Sequence, residues 1–118
     1  MGRKEPDAGP NNLQNYPVLT SASGVGDGKI TIAGTLDSTP STKKKKTFTI
    51  QFFSNPQGEG GGKTFLGQTT AKTDSQGEAS FTFETTKPVP DRDEITATAT
   101  DSKGNTSEFS DPERLFID

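Results

Sequence analysis

Thr47-Phe48-Thr49-Ile50-Gln51-Phe52-Phe53 is the stretch on which the fold turns. Phe48, Ile50 and Phe52 occupy every second position, with Thr and Gln between them, and that period is what a half-buried β-strand requires. The pattern recurs on both sides. Upstream, residues 16–21 form a first strand, and residues 29–36 place Ile30, Ile32 and Leu36 on one face with Gly34 between them. Downstream, residues 63–73 carry Phe65-Leu66 and several threonines. Residues 78–84 turn Ala79, Phe81 and Phe83 inward, and residues 94–100 do the same with Ile95, Ala97 and Ala99. A last strand carries Phe109. Turn signals separate the runs: Gly and Asp around position 27, Pro40, a glycine-rich stretch at 58–62, Asp74 with Gly77, prolines at 88 and 90, and Asp101 with Gly104 and Asn105.

Seven short strands at regular spacing, with no helical period anywhere, predict an all-β, seven-stranded antiparallel sandwich. The expected core is Val18, Ile30, Ile32, Leu36, Phe48, Ile50, Phe52, Leu66, Phe81, Phe83, Ile95, Ala97, Ala99 and Phe109. Residues 1–15 are polar and read as a linker, residues 16–112 as the folding unit, and residues 113–118 as a tail that extends the last strand or forms a helical turn. An odd number of strands puts the two chain ends at opposite poles, a geometry suited to a stiff spacer.

The composition fits this reading. A chain of 118 residues holds one core. Only 25% of it is hydrophobic, which a sandwich tolerates because each strand needs one apolar face, and eight phenylalanines supply the bulk. The net charge of −3 offers no basic field to nucleic acid. No apolar window is long enough for a membrane-spanning helix. There is no Cys and no His, which excludes disulfides, thiol nucleophiles, Ser-His-Asp triads and zinc sites built on those residues. The charged start, Met1-Gly2-Arg3-Lys4-Glu5-Pro6, has no apolar signal segment behind it, which leaves a cytoplasmic chain or, the reading preferred here, a piece of something longer.

Three stretches carry a resemblance to a known kind of module. They are residues 9–22 (Gly-Pro-Asn-Asn-Leu-Gln-Asn-Tyr-Pro-Val-Leu-Thr-Ser-Ala), residues 48–56 (Phe-Thr-Ile-Gln-Phe-Phe-Ser-Asn-Pro), and residues 95–101 continuing through Gly104-Asn105-Thr106-Ser107-Glu108-Phe109-Ser110. Together they resemble the immunoglobulin-like domain of large exported bacterial proteins, often found in tandem arrays or beside parallel β-helix repeats. The resemblance spans residues 9–111. It implies an immunoglobulin-like sandwich, a secreted or cell-surface setting, a structural or adhesive role, neighbouring domains of the same polypeptide as partners, and no catalytic residues. The four consecutive lysines and the glycine-rich segment depart from the pattern.

Several residues invite a chemical reading. Calcium takes six to eight oxygen ligands. The topology expected of such a sandwich gathers Glu5, Asp7, Asp37, Asp74 and the turn of Asp101 and Asn105 at one end, where a cation would bridge this module to its predecessor. Asp7, Asp74, Asp101 and Asn105 are the calcium candidates. Ordinary turn capping by Asp, with Gly or Asn in the left-handed conformation, is the competing reading. Asp91 and Asp93 pair acids for acid–base work, but in an open loop nothing excludes water. Lys43-Lys44-Lys45-Lys46 invites an anionic ligand, yet no aromatic residues interleave with it. A solvated loop, with Lys46 guarding an edge strand, accounts for it better. Gly62-Lys63-Thr64 ends like a phosphate loop, but position 57 is Gln and no helix follows. Lys29, Lys63 and Lys72 are out of phase with the apolar residues, which argues against an internal Lys–Asn crosslink. With no Trp and only Tyr16, a sugar-stacking platform is not evident.

Two functions follow as expectations: a non-catalytic, monomeric spacer or adhesion module, and a module recognising glycan or protein through loops such as 58–62. An exposed aromatic cluster favours the second, and bare polar loops favour the first.

Overall fold

The computed structural model describes residues 16–25, 28–37, 47–58, 61–74, 77–102 and 104–117. Its strands are β1 (Val18–Gly24), β2 (Ile30–Asp37), β3 (Thr47–Asn55), β4 (Thr64–Lys72), β5 (Glu78–Thr85), β6 (Glu94–Thr100), β7 (Glu113–Arg114) and β8 (Phe116–Ile117). They form two four-stranded sheets, ordered β5-β2-β1-β8 and β4-β3-β6-β7. Every pairing is antiparallel except β1 with β8. The architecture is the expected all-β sandwich.

The central strands are those whose alternation is cleanest. In β3, Phe48, Ile50 and Phe52 are buried, and they face Ile30, Ile32 and Leu36 of β2 in one core. Each such side chain contributes about 1.5–3 kcal/mol of burial. Phe52 ties the layers together, with its ring stacked on Phe83 at 4.5 Å and edge-on to Phe81 at 5.7 Å. Phe83 reaches that position by lying over Gly67, where a Cβ would stand 2.6 Å from its ring; with φ at 148°, Gly67 tolerates no side chain on either count. The ladder slips there, from Phe52↔Gly67 to Phe53↔Phe65, and the extra residue, Leu66, turns into the core.

A second bulge corrects the expected core. Without it, Val18 would share the phase of Ala22. The β1–β2 register shifts between Leu19 and Ser21, Thr20 is the extra residue, and its Oγ1 donates to Ala33 O at 3.2 Å. Leu19 and Ala22 are therefore the inward pair, and Val18 is 56% exposed.

The last strand differs most from expectation. After a bridge between Thr100 and Thr106, residues 107–110 run along the edge of β6 without forming a strand. Ser107 N donates to Ala99 O and Ser110 N to Ala97 O, both at 2.8 Å. In return the amides of Ala99 and Ala97 donate to the Oγ atoms of Ser107 and Ser110, at 3.0 and 2.9 Å. The two serine backbones are three positions apart where the alanines are two apart, so the segment bows outward. Phe109 sits on the bow, 43% exposed rather than in the core. The core position falls instead to Leu115, fully buried between β7 and β8. Residues 113–117, expected as a tail, thus belong to both sheets.

The strand directions give the body two distinct ends. The head is where β1 begins, and there β2 ends, β3 begins, β4 gives way to β5, and β6 gives way to the turn of Asp101 and Asn105. The foot is where β8 finishes, with the turn 25–29, the loop 56–63 and the connection 86–93. Since β7 and β8 both run from head to foot, the eight strands are seven passes with the last one split at Leu115. The folded chain begins at the head and finishes at the foot.

Candidate functional site

At the foot, one buried side chain organises the loop between β3 and β4. Asn55, inaccessible to solvent at the end of β3, donates through Nδ2 to Gly61 O at 2.9 Å and to Thr96 Oγ1 at 3.3 Å. Its Oδ1 accepts Lys63 N at 2.8 Å, and Thr96 Oγ1 also donates to Gly61 O. A buried amide needs all of these partners, so the loop is held where Asn55 directs it. Glu94 adds an outer tie, its Oε1 accepting Gly58 N at 3.2 Å.

Fixing the loop brings Gly62 under an aromatic ring. A Cβ on Gly62 would stand 2.7 Å from the Phe109 ring and 3.3 Å from that of Phe53, so only glycine lets the loop pass beneath them. Phe109 meets Phe53 edge-on at 5.4 Å, and Phe53 meets Phe65 at 5.6 Å. Phe65 and Phe109 are each more than two-fifths exposed, and Phe53 between them is half-buried. The three rings form an apolar platform on the outer face of the β4-β3-β6-β7 sheet. Towards the head it is bordered by the amide pair Gln51 Nε2 to Gln68 Oε1 at 3.0 Å. On its β4 side Lys87 Nζ donates to Phe65 O at 3.0 Å. Such a surface offers stacking and apolar contact with a polar rim.

Period-2 logic already held two of the three rings. In the doublets Phe52-Phe53 and Phe65-Leu66 one neighbour must face out when the other is core. Phe109 was not accessible by that route, because its placement depends on the two serine hydroxyls that replace a strand.

Of the acidic residues expected at one end, Asp37, Asp74 and Asp101 do lie together at the head. Asp37, Asp74 and Glu78 line an open depression of about 460 Å³ with Thr35, Leu36, Ala79 and Ser80. The Asp101–Asn105 turn lies at the same end, across β3 from Asp74. Each calcium candidate there is engaged in its own turn. Asp74 Oδ1 accepts Glu78 N at 3.0 Å. Asp101 Oδ1 accepts Asn105 N at 2.9 Å, while Asp101 Oδ2 accepts Asn105 Nδ2 at 3.0 Å. Among the described residues, no three Asp, Glu, His or Cys side chains are grouped to hold a metal ion. These are the bonds of turn capping by Asp. Glu5 and Asp7 lie outside the described residues, as do Lys43, Lys44, Lys45 and Lys46. The strand that Lys46 leads into is central, between β4 and β6, so it guards no edge.

The remaining candidates have structural surroundings. Asp91 Oδ1 accepts Ile117 N at 2.9 Å, and burial pushes the Asp93 carboxyl above its ordinary value. Lys29, Lys63 and Lys72 are exposed, and the Lys29 ammonium lies 3.4 Å from Glu84 Oε1. No family model matches the chain, and no curated protein matches it.

Proposed function

We propose that this chain is a non-catalytic spacer module, an immunoglobulin-like sandwich of a larger secreted or cell-surface bacterial protein, with neighbouring domains joined at its two ends. The observation that carries the reading is the placement of the first and last strands. β1 starts at the head and β8 finishes at the foot, so neighbours are held in line with a rigid body between them. The core of paired sheets keeps that separation fixed. Small-angle scattering on concatemers of one, two and three copies tests it. Linear growth of the longest dimension supports the spacer, and a dimension that stops growing because copies fold back on one another refutes it.

A second reading is favoured by the platform of Phe53, Phe65 and Phe109. In this reading the module also docks a protein partner through apolar side chains. Phenylalanine rings lack the polar handle of Tyr or Trp, which makes a protein surface a better match than a sugar. Titration of isotopically labelled protein with an apolar peptide and with an oligosaccharide series separates the two. Shifts confined to the three rings with the peptide alone support this reading; shifts with the sugar alone, or with neither, refute it.

A further inference from the structure

Asp111-Pro112 is the one Asp–Pro pair in the chain, and from its surroundings we infer that the peptide bond between them is a self-processing site, cut by Asp111 without a protease. The step goes beyond the spacer reading and does not rest on it. An aspartate carboxylate reaches the carbonyl carbon of its own residue because closure gives a five-membered ring. The carboxylate oxygen attacks that carbon, a cyclic anhydride forms, and the C–N bond breaks. Its electron pair stays on the Pro112 nitrogen, which takes a proton from solvent and leaves as a secondary amine. Water then opens the anhydride, restoring the Asp111 side chain and creating a new chain-terminal carboxylate, so that only water is consumed overall. Proline suits the leaving position, since its tertiary amide nitrogen carries no hydrogen and accepts a proton more readily than an ordinary peptide nitrogen.

An Asp–Pro pair by itself supplies the attacking group and the leaving group, but nothing to stabilise the oxygen that becomes negative. Here Ser110 supplies that donor. Its Oγ accepts the Ala97 amide at 2.9 Å, which leaves its single hydrogen for Asp111 O, the carbonyl of the bond to be cut, at 3.0 Å. Ser110 is buried and its own amide donates to Ala97 O at 2.8 Å, so the donor is in place before the reaction begins. Beyond the bond the chain is fixed again, where Glu113 pairs with Ile95. Asp111 and Pro112 themselves are exposed, open to water and to the proton that the amine takes. Among the described residues no hydrogen bond or ion pair holds the Asp111 carboxylate away from the carbonyl. The stretch of β6 alongside, Ile95 to Ala97, carries no charge, and neither does β1. The nearest charged side chains are Glu108, Glu113 and Arg114 along the chain, and Glu94 opposite Arg114. A cut parts the chain just before its final strands. Residues 112–118, with buried Leu115 and the pairings of β7 and β8, are then held by those contacts alone, and so is whatever is joined to them.

The experiment incubates the full chain in mildly acidic buffer with protease inhibitors, under conditions in which circular dichroism shows the sheets intact, and follows the mass of the products. The expected pieces end at Asp111 and begin at Pro112. They form about tenfold or more faster from the folded protein than from the same chain in urea at the same pH, because only the fold supplies the Ser110 donor. Asp111→Glu, whose extra methylene forces a six-membered ring, and Pro112→Ala, which makes the leaving nitrogen an ordinary amide, each slow the cut by about tenfold or more. Ser110→Ala lowers the folded rate to the rate in urea. Where that variant does not fold, because the Ala97 amide is stranded, the folded and urea rates of the parent decide the matter. No cut between residues 111 and 112, a cut no faster in the folded protein than in urea, a folded Ser110→Ala at the parent rate, or an undiminished cut in Asp111→Glu overturns the proposal. The spacer reading is untouched by any of these, because scattering decides it separately.

Discussion

Ser107 Oγ accepts the Ala99 amide at 3.0 Å, doing for that buried N–H what a neighbouring strand's carbonyl does elsewhere in the sheet. The same hydroxyl donates to Glu108 O at 2.8 Å, so both of its capacities are used. Ser110 repeats the arrangement with Ala97 and Asp111. Replacing either serine by alanine strands a buried amide, and each change is expected to cost about 1–3 kcal/mol. Urea denaturation of Ser107→Ala and Ser110→Ala checks this; a cost near zero would mean that water replaces the hydroxyls at no penalty.

Thr98 presents the opposite case. Its Oγ1 is buried and is the one side-chain oxygen or nitrogen of that kind with no hydrogen-bond partner among the described residues. Valine has the same shape and branching and no hydroxyl to desolvate. Thr98→Val should raise stability by about 1 kcal/mol, visible as a higher urea midpoint at unchanged slope.

Asp101 separates capping from metal binding. Asp101→Ala removes both acceptors of Asn105 and is expected to cost about 1 kcal/mol. On the capping account, thermal unfolding of the parent protein should not move between millimolar calcium and chelator. A calcium-dependent rise that Asp101→Ala abolishes would overturn the capping account.

The platform predicts a separation of stability from the binding of apolar molecules. Phe65 and Phe109 are already substantially in water, so Phe65→Ser and Phe109→Ser should each cost only about 1 kcal/mol, far less than truncating Phe52. The double variant should lose most of the fluorescence enhancement that an apolar dye shows with the native protein. Retained dye binding would place the sticky surface elsewhere.

Asp93 sets an acid-side signature. Burial raises its carboxyl above the ordinary 3.8, so the folded state holds the proton more tightly than the unfolded chain does. Its contribution to stability is therefore fully present below the unfolded value and lost as pH rises through the folded one. Asp93→Asn should match or exceed the parent in melting temperature at neutral pH, and that advantage should vanish as the pH is lowered through the carboxylate range. A difference that grows on acidification would reverse the sign.

The strands whose apolar residues alternate without interruption were legible as sequence. In β2, β3 and β6 the inward residues are those that period 2 selects, and the turns fall where Asp and Gly punctuate the chain. The errors share a cause. Val18 and Phe109 were assigned by extending an alternation across a place where one extra residue resets it: a bulge at Thr20 in the first case, a bow between two serines in the second. A bulge has no strong composition signal, because what specifies it is the partner strand. Leu115 was missed for a related reason. A lone leucine between charged residues has no periodic neighbours, and its burial depends on a segment that leaves one sheet and joins the other. At the head, the gathering of Asp37, Asp74 and Asp101 followed from topology, whereas the engagement of Asp74 and Asp101 in turn bonds needed atomic positions.

The closing of β8 on β1 also bears on how the chain is made. Gly24 and Ile117 are partners across 93 positions of sequence, and Leu115 fills the core from almost the last residue described. Synthesis delivers residues 113–117 after every other strand. Until they have emerged, β1 lacks a neighbour on one side and the core lacks a side chain, so a ribosome-bound fragment stays open however many of its strands are ready.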